Sequence, residues 1–76
     1  MDVRRVIGAN VRRFRLDADL SQEQVAERMG VDRAYVSGLE LGQRNPTAIT
    51  LWRAAEALGV EVHRLLMASG EPPSEQ

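Results

Sequence analysis

Cysteine is absent from this 76-residue chain, so neither disulfides nor thiolate metal ligands can hold its fold together. A chain of this length builds one domain with a modest core, and without covalent staples that core must come from well-packed helices. Lysine is missing as well. All ten basic residues are arginine, a bias that genomic base composition produces as readily as function does. Histidine occurs once, as His63 beside Arg64, with no second histidine or cysteine at a metal-binding spacing. The scattered carboxylates and lone glycines make neither an acid–base pair nor a phosphate cradle, so no catalytic residue, metal or cofactor is expected. Long apolar runs are lacking too. None approaches the roughly 18 residues of a membrane span, and the opening MDVRRVIGAN carries no hydrophobic signal segment. A cytoplasmic location is the expectation that follows.

The charge is nearly balanced, at −1 with an isoelectric point of about 5.7, which excludes an avid, sequence-blind binder of polyanions. Its distribution says more than its sum. Residues 1–20 carry five arginines against three aspartates (+2), residues 21–45 come to −1, and residues 46–76 to −2. One side of such a molecule can face a polyanion while the other does not.

Glycine, Asp/Asn and Ser cut the chain into short helical segments, with no strand-like alternation. Asp2 is placed to cap a first helix running to about Leu16, whose stripe Val3, Ile7, Val11 and Phe14 marks one face. Ser21 and Gln24 fit a capping box, so a second helix spans about Gln22 to Met29, and Gly30 stops it. Asp32 is placed to cap a third helix reaching about Leu41, over 32–41. Residues 42–46 form a loop by composition. Thr47 opens a fourth helix with core stripe Ala48, Leu51, Ala55 and Leu58, ended by Gly59. A fifth, short helix is expected over about Glu61 to Ala68. The domain is thus 1–69, and 70–76, with its Pro-Pro pair, reads as a disordered tail.

Helices two and three carry the one specific constellation. With Gln22 as the first of twenty positions, Ala26 falls at five, Gly30 at nine, Val36 at fifteen and Leu39 at eighteen. Ala26 is small because the next helix crosses there, Gly30 supplies the positive φ of the turn, and Val25, Met29, Val31, Val36 and Leu39 wedge the pair into the core. This is the bihelical unit that lays a recognition helix in the major groove of DNA. If Val36 and Leu39 point inward, steps of 100° put Ala34, Ser37 and Gly38 on the opposite arc, flanked by Arg33 and Tyr35.

The stretch LSQEQVAERMGVDRAYVSGLELGQRNPT followed by LWRAAEALGV closely resembles the Cro and phage-repressor type of helix-turn-helix protein, the XRE family, over about residues 4–68. The run DRAYVSGLE with QRN is also similar to the small controller proteins of restriction–modification systems. The resemblance implies an all-α, five-helix fold of the lambda-repressor kind and a homodimer on a palindromic operator in double-stranded DNA. By position it implies that Gln22 anchors helix two to the DNA backbone and that Arg33, Ala34, Ser37 and Gly38 face the groove. Arg15 and Glu40 match a buried ion pair linking helices one and three. Gly38 departs from the longer polar side chain usual in the family, and its reading is a close approach of backbone to the groove.

Chemistry assigns roles to these positions. Arg33 can form bidentate bonds with guanine, Ala34 can touch a thymine methyl, and Ser37 can bond a base edge or a phosphate. So few base readers leave much of the specificity to DNA shape. Gln43, Arg44 and Asn45 are placed for the backbone, although Asn before Pro is also ordinary turn chemistry. Tyr35 either packs its ring against the loop or offers its hydroxyl to a phosphate. Arg4, Arg5, Arg12 and Arg13 read as a solvated helix face, Met29 and Met67 as core or edge fillers. Ile49 and Trp52, off the helix-four stripe, and Val62, Leu66 and Met67 near the end are the two candidate dimer surfaces, with Trp52 expected to be partly buried. Two function classes stand side by side: a dimeric DNA-binding transcription regulator, or a protein-binding module such as an antitoxin or the DNA-binding part of a larger sensor.

Overall fold

A computed structural model describes residues 2–68; the segment 70–76 read as a tail lies outside the described residues. Within them are four α-helices, α1 (Val3–Asp17), α2 (Gln22–Met29), α3 (Arg33–Glu40) and α4 (Ala48–Leu58), followed by a 3₁₀ turn, Val62–Leu65. The fold is all-helical, with four α-helices where five were expected.

Local chemistry starts each helix. The Asp2 carboxylate accepts from the Arg4 backbone N–H at 3.0 Å. At α2 the capping box closes in both directions. Ser21 Oγ accepts from the Gln24 N–H at 3.0 Å, and the Gln24 side chain accepts from the Ser21 N–H at 2.8 Å. Thr47 Oγ1 accepts from the Thr50 N–H at 3.1 Å to open α4. Asp32 differs from expectation. It has the extended backbone of a cap, but its side chain makes no capping bond, and its exposed carboxylate acts on α3 only through the helix dipole. Gly30 ends α2 with φ 75°, the left-handed geometry that turns the chain into α3.

Ile7, Val11 and Phe14 of α1, Val25, Ala26 and Met29 of α2, Val36 and Leu39 of α3, and Ala54, Ala55, Ala57 and Leu58 of α4 enclose one core, closed from below by Leu65. Two stripes are corrected at their ends. Val3 is half exposed, because the core cluster begins one turn later at Ile7, and Ala48 is exposed while Leu51 is only partly covered. The buried face of α4 is instead rich in alanine, which lets α2 approach it. Arg28 spans that pair, donating to the Ala57 carbonyl at 3.0 Å near the open end of α4.

At the crossing of α1 and α3, Gly8 lets backbone meet backbone. A Cβ at Gly8 would stand 2.7 Å from the Glu40 carbonyl oxygen, too near for any side chain. On the opposite side of α1, Asn10 is fully buried and donates to the carbonyls of Leu65 at 2.9 Å and Met67 at 2.6 Å. The segment is a 3₁₀ turn where a fifth α-helix to Ala68 was expected. Its backbone bonds close over three residues, from the Arg64 N–H to the Glu61 carbonyl and from the Leu66 N–H to the His63 carbonyl, both at 3.0 Å, and Asn10 fastens the end of the turn to α1. Phe14 finishes this corner, with the guanidinium groups of Arg13 and Arg64 at 4.5 and 5.1 Å from its ring centre.

Candidate nucleic-acid interface

The interface is built outward from a buried charge pair. Arg15 of α1 and Glu40 at the end of α3 meet through two hydrogen bonds, Nε to Oε2 at 2.6 Å and Nη2 to Oε1 at 3.1 Å, with side chains only 12% and 4% exposed. Arg15 also donates Nη1 to the Leu20 carbonyl at 2.9 Å, so all three nitrogens of its planar fork have a partner. Hydrogen bonding to Glu40 is the main cause that holds the Arg15 guanidinium above its ordinary basicity. The pair ties α1 to the far end of α3.

From this pair a chain of contacts reaches the surface. Glu40 Oε1 also accepts from Gln22 Nε2 at 3.0 Å, and Gln22 Oε1 in turn accepts from Arg33 Nη1 at 3.0 Å. Gln22 opens α2 and Arg33 opens α3, so the residues expected to touch DNA are linked to one another and to a buried carboxylate. Sequence spacing places Gln22 and Arg33 on neighbouring helices, yet only the fold shows that they bond. Gln22 is partly buried, whereas Arg33 and Ala34 are exposed at the start of α3 and Ser37 is partly exposed one turn on.

The other end of the face is covered from the loop after α3. Gly38 is buried within the chain, because the Arg44 side chain lies over it. The Arg44 guanidinium sits 5.2 Å from the ring centre of Tyr35, itself partly buried. The backbone of Gly38 is thus roofed by the Arg44 side chain in the free chain. Gln43, Arg44 and Asn45 are all exposed on the loop beside the end of α3.

The two candidate dimer surfaces are distinct in exposure. Ile49 and Trp52 are 67% and 59% exposed, so Trp52 is more open than its expected partial burial. Leu66 and Met67 are exposed too, while Val62 packs against the core. Sequence reading missed Leu41, 66% exposed just after α3, along with Gly8 and Asn10. For Asn10 a signal was there: a polar residue on the Ile7–Val11–Phe14 face demands a buried partner. Among the described residues no helix is long and apolar enough to cross a membrane, and no group of three or more His, Cys, Asp or Glu could hold a metal ion.

A family model described as helix-turn-helix (HTH_3) matches residues 11–65. The chain is 45% identical over 73 residues to an HTH-type transcriptional regulator, y4dJ, of Sinorhizobium fredii, covering 96% of this chain and 95% of that one. It is 41% identical over 70 residues to the control protein C.SmaI of Serratia marcescens, covering 92% and 83% respectively. Among solved structures, it is similar to the restriction–modification controller protein C.AhdI of Aeromonas hydrophila, with a TM-score of 0.78 and 39% identity over 82% of this chain and 94% of that one.

Proposed function

The chain belongs to the XRE-type helix-turn-helix family of transcriptional regulators, and from that premise we propose that it binds a near-palindromic operator in double-stranded DNA as a homodimer. The observation that carries this reading is the linked set Arg15–Glu40–Gln22–Arg33, which presents an arginine and an amide at the facing ends of α2 and α3. Held by Gln22, Arg33 reaches a guanine edge with little rotamer freedom left to lose. Ala34 lies beside it for a thymine methyl, and Ser37 for a base edge or phosphate. Gln22, Gln43, Arg44 and Asn45 line the flanks, where the phosphate backbone runs. Tyr35 brings its hydroxyl to the same flank. These contacts fix register, and the few base readers leave shape to supply the rest.

Dimerisation follows from size. One module covers about 600–1,000 Å² of DNA-facing surface and needs a second copy for useful specificity. The exposed apolar side chains of Ile49 and Trp52, with Leu66 and Met67 beside the partly buried Val62 as the alternative surface, lie on elements other than α3 and are offered for a two-fold contact. In such a dimer the two α3 helices stand about 34 Å apart, one turn of B-DNA.

The test is a binding-site selection with the purified chain, followed by molar-mass measurement with and without the recovered DNA. A near-palindromic consensus bound by two chains is the expected result. Selection without enrichment would leave a protein-binding role, as in an antitoxin, as the reading to pursue. One chain per site would overturn the homodimer alone.

A further inference from the structure

Gly38 occupies the middle of α3, where glycine weakens a helix by about 1 kcal/mol relative to alanine. It does not serve a left-handed turn there, and it does not face a neighbouring helix. What it faces is Arg44. A Cβ added at Gly38 would stand 3.0 Å from Arg44 Nε, 3.3 Å from Cγ and 3.6 Å from Cδ, so the arginine lies lengthwise across the bare helix backbone. The loop is brought back to make this possible. The Gln43 N–H donates to the Gly38 carbonyl at 2.9 Å, and the Gly42 N–H to the Leu39 carbonyl at 3.1 Å. From that start the Arg44 side chain runs toward the N-terminal end of α3, where Tyr35 stands one turn before Gly38 on the same face. Its guanidinium ends over the Tyr35 ring, 5.2 Å from the centre.

We propose that Gly38 is a positioning residue acting through Arg44: its missing side chain leaves a lane across α3 that seats the guanidinium on Tyr35, so that Arg44 and Tyr35 meet DNA as one preformed contact. This deepens the DNA-binding reading and rests on it. An arginine already seated has less rotamer freedom to lose on binding than one on a free loop, and the stacked ring limits where its charge can go. The helix gives up propensity at Gly38 and keeps the Arg44 guanidinium seated on the Tyr35 ring.

Gly38→Ala separates the two roles, because alanine is the better helix former and the poorer neighbour for Arg44. In the full chain, urea unfolding of Gly38→Ala is expected to show a midpoint equal to or above that of the original protein. Affinity for the selected operator is expected to fall about two- to tenfold. In an Arg44→Ala background the same substitution is expected to change affinity by less than about 1.5-fold, since the residue it acts through is gone. A DNA-free measurement tests the seat itself: the Arg44 side-chain protons show a ring-current shift in the NMR spectrum, which vanishes in Gly38→Ala and in Tyr35→Ala. Undiminished operator affinity in Gly38→Ala would overturn the proposal. So would an equal loss with and without Arg44, which would return Gly38 to direct backbone contact with the groove. Absence of the ring-current shift in the original protein would overturn it as well. Failure of the unmodified chain to bind any selected DNA refutes instead the reading on which the proposal rests, and the NMR result then stands apart as a statement about the free fold.

Discussion

Replacing Glu40 by alanine removes three hydrogen-bond contacts at once: two from Arg15 and one from Gln22. The Arg15 guanidinium, 12% exposed, would keep only the Leu20 carbonyl as a partner and could not move into water without opening the α1–α3 crossing. Breaking one side of a buried pair leaves an uncompensated charge and costs about 3–5 kcal/mol. A chain of this length is stable by only about 4–11 kcal/mol, so the variant loses about a quarter of its stability or more. At an m-value of about 1–1.5 kcal/mol/M, the urea midpoint followed by far-ultraviolet circular dichroism is expected to fall by at least about 2 M. Arg15→Met combined with Glu40→Met removes both charges and is expected to unfold much closer to the original protein, because no charge is then stranded. A Glu40→Ala midpoint within about 0.5 M of the original would refute the claim that this pair anchors α3. So would a double variant as unstable as the single one.

Arg33→Ala is expected to lose about 1–3 kcal/mol of operator affinity and base preference at one position, whereas Arg44→Ala weakens all sequences alike and flattens the salt slope by about one; repeated site selection and salt titration distinguish them. Asn10→Ala strips the Leu65 and Met67 carbonyls of their donor and is expected to cost about 1–3 kcal/mol, with amide exchange rising first in residues 62–66. Trp52→Glu, together with Ile49→Glu, is expected to give a folded monomer by sedimentation; a dimer of unchanged affinity would move the interface to the Leu66–Met67 end. The Asp2 carboxylate is held below its ordinary value of 3.8, first by hydrogen bonding from the Arg4 side chain. Its cap is therefore complete above that value and is lost as pH falls through the lower, folded one; amide exchange in the first turn of α1 should quicken there, and Asp2→Ala should abolish the dependence.

Much of the fold was legible because its signals are local. Ser21 with Gln24, Thr47 with Thr50, and Asp2 with Arg4 are bonds across two or three residues, and Gly30 needs only its own backbone to turn. The spacing of Ala26, Gly30, Val36 and Leu39 likewise follows from the steric demands of two crossing helices, and all but Gly30 of these are buried. The ends of stripes were less legible. Periodicity tells which face Val3 and Ala48 occupy, but how far the covering layer extends depends on helices elsewhere in the chain.

The sequence by itself determined an all-helical chain, the placing of its helix-turn-helix and the residues on its outer arc, since each rests on propensity, capping or a repeat of 3.6 residues. Tertiary structure alone decided what those residues hold. Asn10 meets carbonyls 55 and 57 residues away, and that contact fastens the closing 3₁₀ turn to α1. Gly8 and Gly38 are both bare for space, one for the backbone of α3 and the other for the Arg44 side chain. Arg33 is steadied by Gln22, which is steadied by Glu40, from the start of α3 across to α2 and back to the end of α3. Such contacts join segments far apart in sequence, and no local pattern records them, because the distance between their partners exists only once the chain has packed.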